Sequence, residues 1–137
     1  MSLDASGNLT AAGNFSAANF NQQFLQTAST WTIGGSSVGN HTYTATRFGN
    51  TVTVHLNAFS FTAASNPQIT NSVALPSWAR PTNIAAAVDL PLFITNNGTY
   101  GIGRCQITSA GVLAIAPTSG LLTGSCSLSG CVTFIAN

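Results

Sequence analysis

From residue 41 onward, large apolar side chains return at every second position. In "TVTVHL", Val52, Val54 and Leu56 alternate with Thr51, Thr53 and His55. A period of two places one set of side chains on each face of a strand, whereas a helix would scatter the same residues around its circumference. The turn Phe48-Gly49-Asn50 links this run to the preceding "HTYTATRF", so the two segments read as a β-hairpin. Past Leu56 the apolar phase moves to Phe59 and Phe61, which requires a bulge or bend near Asn57-Ala58. Further strands are expected at 69–75, 84–94, 100–108, 112–116 and 131–136. Turn residues separate them: Asn66-Pro67, Pro76-Ser77, Asn96-Asn97-Gly98, Ser109-Ala110-Gly111 and Ser119-Gly120. Short strands divided in this way predict an all-β fold, an antiparallel β-sandwich of the jelly-roll kind, over residues 31–137.

The stretch 84–94 is apolar on both faces. Ile84, Ala86, Val88, Leu90, Leu92 and Ile94 form one, and Ala85, Ala87, Pro91 and Phe93 the other. One face suits the core, while the second suits either a neighbouring subunit or the interior of the same sheet. Pro91 confines the strand to an edge or a bulge, because proline has no amide to give to a ladder.

Residues 1–30 have a different character. Ala5-Ser6-Gly7-Asn8-Leu9-Thr10 is echoed by Ala11-Ala12-Gly13-Asn14-Phe15-Ser16 and by a shortened Ala17-Ala18-Asn19-Phe20. One copy has only Leu9, Phe15 and Phe20 to bury, too little to offset roughly 1–2 kcal/mol of backbone entropy per ordered residue. The repeat therefore needs partners. It reads as a shaft followed by a junction at 21–40, where the spacing of Phe20, Phe24 and Ala28 leaves a short helix open.

The chain is 45% hydrophobic but only 4% charged, with no Lys or Glu, so its surface must be wetted by the Ser, Thr and Asn that supply about a third of it. That surface suits the cell exterior. A net charge of +1 and three scattered arginines exclude electrostatic binding of nucleic acid, which needs clustered cations. No apolar run approaches the roughly 20 residues of a membrane-spanning helix. Since Met1-Ser2 leads straight into the repeat, the chain reads as either a fragment of a longer fibre or a viral protein made in the cytosol.

Asp4 and Asp89 are the only carboxylates, one in the repeat and one inside an apolar strand, so paired acid–base chemistry is not expected and the chain does not read as an enzyme. His41 and His55 lack metal-ligand spacing, and His55 is expected to face outward beside Thr53. No cofactor or metal is expected. Cys105, Cys126 and Cys131 are odd in number. Two readings stand: a hairpin disulfide between Cys126 and Cys131 with Cys105 free, or three buried small side chains. Trp78, Arg80, Asn97, Tyr100 and Arg104 are the ligand-contact candidates, since aromatic rings stack on sugar faces and arginine reaches the carboxylates of acidic sugars. Trp78 as a plug of the head and Arg80 as a bridge between subunits are the competing roles.

Three local patterns combine into a resemblance. They are Arg47-Phe48-Gly49-Asn50-Thr51-Val52, the turn Leu75-Pro76-Ser77-Trp78-Ala79-Arg80-Pro81, and the hairpin "ITSAGVLAI" over 107–115. With the leader "LDASGNLTAAGNF" they resemble the C-terminal tips of trimeric fibres: phage tail-fibre and receptor-binding proteins, and fibre adhesins of bacterial surfaces. The resemblance implies a homotrimer with jelly-roll heads of the C1q and tumour-necrosis-factor class on an intertwined shaft, with Leu9, Phe15 and Phe20 around the axis. It implies attachment to a target-cell glycan or polymer from a virion tail fibre or a bacterial surface. A trimeric assembly cap that binds nothing is the competing reading. After Ile115 the sequence departs from the pattern.

Overall fold

The computed structural model describes residues 2–3, 9–10, 22–82 and 87–136. Strands β1 (Ser2–Leu3) and β2 (Leu9–Thr10) form a small antiparallel ladder of their own. Phe15 and Phe20 lie outside the described residues, as does the side chain of Leu9, so the expected trimer axis lies outside them too. The other strands are β3 (Gln22–Ile33), β4 (Ser36–Phe48), β5 (Thr51–Asn66), β6 (Ile69–Asn71), β7 (Ala87–Asn96), β8 (Thr99–Thr108), β9 (Leu113–Pro117) and β10 (Leu122–Ile135).

These eight strands close into one antiparallel barrel in the order β10-β5-β4-β3-β6-β9-β8-β7. The all-β expectation holds, but the sheet closes on itself instead of splitting into two facing sheets. The reason is β10. Expected only over 131–136, it runs as one long strand from Leu122, pairing with β5 along one edge and with β7 through Ser127–Ser129 along the other. Its glycines do not end it. Gly130, at φ +136°, is absorbed in a register shift between Leu128 and Gly130.

The hairpin at Gly49-Asn50 is present, with Val52, Val54 and Leu56 buried and His55 exposed. So is the bulge. Leu128 faces Phe59 and Gly130 faces Leu56, leaving Asn57 and Ala58 opposite a single residue. Beyond it β5 parts from β4, whose pairing stops at Tyr43 opposite Leu56. There His41 stacks on Phe59 at 3.9 Å and 12°, with Trp31 tilted against the same ring.

An open reading at the junction resolves, and the strand expected at 69–75 is shortened. The short helix near Phe24 and Ala28 is instead strand β3, because a twelve-residue ladder with β4 satisfies its backbone better than an isolated helical turn rich in Thr and Ser. Thr30 lies within that strand. The strand expected at 69–75 stops at Asn71. Asn71 is buried; its amide donates to the Val73 carbonyl at 2.6 Å and its side-chain oxygen accepts the Leu113 amide at 2.9 Å, turning the chain away.

The barrel interior is filled by Trp31, Tyr43, Val52, Val54, Leu56, Ile69, Ile107, Leu113, Ile115 and Leu122, each almost fully buried. Tyr43 donates its hydroxyl to the Val73 carbonyl at 3.1 Å, and burial pushes its phenol above its ordinary pKa. Cys105, also in the core, is pushed up to about 12 by burial, with the Asp89 carboxylate adding in the same direction. No helix among the described residues is long and apolar enough to cross a membrane.

Candidate functional site

The β7–β8 hairpin carries three of the five ligand-contact candidates. Its turn is Asn97-Gly98, both in the left-handed region at φ +49° and +76°, the backbone that a two-residue hairpin of type I′ requires. The register is unbroken: Thr95 faces Tyr100, Phe93 faces Ile102 and Pro91 faces Arg104. Tyr100, Ile102 and Arg104 therefore share the outer face of the barrel, as period two demands. Tyr100 is 89% exposed, Phe93 75% and Ile102 57%. The inward position between Ile102 and Arg104 is Gly103, where a Cβ would lie 2.8 Å from the Ala116 carbonyl and 2.9 Å from the Ile94 side chain. Only glycine lets β7, β8 and β9 pack this closely.

The hairpin tip is anchored by a residue that sequence reasoning missed. Asn96 accepts the Thr123 amide at 2.9 Å and donates to the Leu121 carbonyl at 2.9 Å. The Gly98 amide donates to the Ser125 carbonyl at 3.2 Å. Asn97 thus sits in a braced turn, and its conformation is its first role.

Asp89 is a second residue that the sequence reading did not place on the site. It shares the outward phase with Pro91 and Phe93, and its carboxylate lies 3.8 Å from the Arg104 guanidinium, both side chains half exposed. With Leu90, Pro91, Ile102, Gly103 and Thr118 the pair borders a shallow hollow of about 250 Å³. Thr118 donates to the Ile102 carbonyl at 3.2 Å. A planar cation, a carboxylate and a hydroxyl around an apolar floor can hydrogen-bond a polyhydroxylated or anionic ligand. Asp89 is the sole carboxylate among the described residues, so a paired general acid and base is not assembled from them. No cluster of three His, Cys, Asp or Glu that could hold a metal forms among them either.

Trp78 and Arg80 do not join this surface. They belong to the loop whose 3-10 turn spans Ser77–Ala79, and Leu75 in that loop donates its amide to the Gly111 carbonyl at 2.8 Å. Gly111 follows the far end of β8, so nine residue steps, on the order of 30 Å, separate this loop from the hairpin tip. Trp78 packs against the core, and Arg80 donates its Nε to the Leu75 carbonyl at 2.7 Å. Arg47 ties the same end together. Its guanidinium donates to the carbonyls of Gly49 at 2.6 Å, Trp78 at 2.7 Å and Ala136 at 3.2 Å. Asn97 and Tyr100 stand at the hairpin tip, Arg104 midway along β8, and Trp78 and Arg80 at the far end of the barrel.

Of the two cysteine readings, the hairpin disulfide is not formed, and that of three buried thiols holds for Cys105 and Cys126 but not for exposed Cys131. Cys126 and Cys131 lie on one strand, Cys126 buried inside the barrel and Cys131 exposed outside it. Five extended residues hold them on the order of 16 Å apart, more than twice what a disulfide spans. All three cysteines are free thiols.

No family model matches the sequence, and no curated protein matches it. Among solved structures, the fold is similar to a reovirus attachment protein, sigma1, determined in complex with alpha-2,3-sialyllactose. The TM-score is 0.51 at 12% identity, over 98% of this chain and 74% of that one. At that identity the likeness is one of fold.

Proposed function

We propose that the chain is the head of a homotrimeric fibre tip, displayed outside the cell on a virion or bacterial surface, that attaches to a glycan on a target cell. The observation that carries this reading is the outward row Tyr100-Ile102-Arg104, with Asp89 and Thr118, mounted on a hairpin braced by Asn96. Rigid display of an exposed ring and a guanidinium on one outward row, about 13 Å apart, favours recognition of an extended glycan: the ring stacks on the apolar face of one pyranose, and the guanidinium pairs with hydroxyls or the carboxylate of a neighbouring sugar. The fold shared with a viral attachment protein supports the same reading. Weak binding at each site gains avidity when three heads are displayed together.

A glycan array probed with the full chain tests this. Binding to a defined set of glycans is expected, lost on Tyr100→Ala and Arg104→Ala. Binding to none of them by a chain that still assembles overturns attachment and leaves the assembly-cap role.

A further inference from the structure

Asp89 is the only carboxylate among the described residues, and it stands beside the one arginine of the outward row. The other two arginines are engaged with backbone at the far end of the barrel: Arg47 donates to the carbonyls of Gly49, Trp78 and Ala136, and Arg80 to that of Leu75. The strand register makes the pairing. Asp89 faces Gln106 and Pro91 faces Arg104, so on the outer face the carboxylate and the guanidinium are diagonal neighbours, within reach of long side chains. At 3.8 Å they are close enough to offset each other's charge but beyond hydrogen-bond distance. Both are half exposed, so each keeps hydrogen-bonding capacity turned to solvent.

We infer that Asp89 sets the specificity of this site and that its ligand is a neutral sugar held through hydroxyls, an assignment that rests on the glycan-binding reading above and narrows it. The donors and acceptors of the hollow decide the class. Asp89 only accepts, Arg104 only donates, and the Thr118 hydroxyl, whose proton goes to the Ile102 carbonyl at 3.2 Å, is left with an acceptor oxygen. A sugar hydroxyl both donates and accepts. One such oxygen, about 2.8 Å from each partner, fits between the two groups, donating to Asp89 and accepting from Arg104. A further hydroxyl has the Thr118 oxygen to donate to. Pro91 and outward Ile102 supply apolar walls for the C–H face of the ring.

A carboxylated sugar fits the same groups poorly, because a carboxylate offers only acceptors. It satisfies Arg104 alone, leaves Asp89 and Thr118 without a donor, and brings a second negative charge against Asp89. The ion pair carries no net charge, so it does not steer an anion into the hollow. Asp89 thus works against one ligand class while it binds the other.

The experiment presents the full chain with matched glycans, each neutral oligosaccharide beside a counterpart whose terminal sugar carries a carboxylate. Wild type is expected to bind members of the neutral set about tenfold or more tightly than their counterparts. That affinity should hold as sodium chloride is raised, since a neutral ligand has no charge for salt to screen. Asp89→Asn removes the charge at constant shape, with folding checked by circular dichroism. It should weaken neutral glycans and strengthen carboxylated ones, moving the ratio of the two affinities by about tenfold or more, a ratio that a purely structural role would leave unchanged. Should the variant not fold, the wild-type ratio and its salt dependence carry the test without a substitution. Preference of wild type for the carboxylated set, loss of binding as salt is raised, or an unchanged ratio in folded Asp89→Asn each overturn the role of Asp89 while attachment stands. Binding to neither set overturns attachment itself, and this assignment with it.

Discussion

Asn96 and Thr123 are 27 residues apart in sequence, yet the Asn96 side-chain oxygen takes the Thr123 amide at 2.9 Å while its amide holds the Leu121 carbonyl at the same distance. One side chain thus fixes the β7–β8 tip against the start of β10. Asn96→Ala removes both bonds and leaves two backbone groups without them, which should cost about 2 kcal/mol in denaturant unfolding. Asn97→Gly, one residue on, keeps the left-handed turn and should stay within about 0.5 kcal/mol of wild type.

The opposite end depends on Arg47. Its three carbonyl acceptors belong to the β4–β5 turn, the Ser77–Ala79 loop and the end of β10. Arg47→Ala should destabilise by about 2–3 kcal/mol in urea melts. Arg47→Lys should recover only part of this, since an ammonium lacks the flat fork that reaches all three.

Arg104 and Tyr100 predict the reverse pattern. Both project from the barrel into solvent, and a half-exposed ion pair contributes about 0–1 kcal/mol. Arg104→Ala and Tyr100→Ala should shift unfolding by no more than about 1 kcal/mol while abolishing attachment to target cells. Normal attachment by both variants would move the ligand site elsewhere.

The Cys105 thiol sets an alkaline limit. Its folded pKa is raised from 9.0 to about 12, so the group is neutral in both states below pH 9. Between pH 9 and 12 the unfolded thiol ionises and the folded one does not, so stability falls as pH rises through that window, by up to about 1.4 kcal/mol per unit from this group. Tyr43, raised by burial as well, acts in the same direction at higher pH. Cys105→Val should flatten the loss between pH 9 and 12 in pH-dependent urea titrations. Near neutral pH, Cys131 should react with a thiol reagent far faster than buried Cys105 and Cys126.

What could be read from the chain follows from which interactions are local. The period-two run around Val52, the Gly49-Asn50 turn and the phase change at Asn57-Ala58 are all set within a few residues, and each is found. The outward row 100, 102, 104 follows from the same alternation. Barrel closure does not, because it depends on β10 reaching both β5 and β7, pairings that join residues more than 30 positions apart. The split of the site has the same origin. Trp78 and Arg80 have the right chemistry for a ligand, but the carbonyls of Leu75 and Trp78, which hold Arg80 and Arg47, are invisible in a linear sequence. Asp89 is legible in principle, since its phase matches Pro91 and Phe93, but the apolar residues on either side of it mask that phase.

Pro91, where the ladder between β7 and β10 stops, bears on how such a chain resists edge-to-edge aggregation. With so few charges, the surface has almost no electrostatic means of keeping strand edges from zipping onto other strands, the first step toward cross-β fibrils. Closure into a barrel removes most edges, and Pro91 interrupts the rim of β7 where the ladder with β10 opens. An extended guest strand meets a missing donor within two residues of Phe93 and cannot propagate along that rim. Contacts made there are confined to side chains, and edge-to-edge zipping ends at the proline.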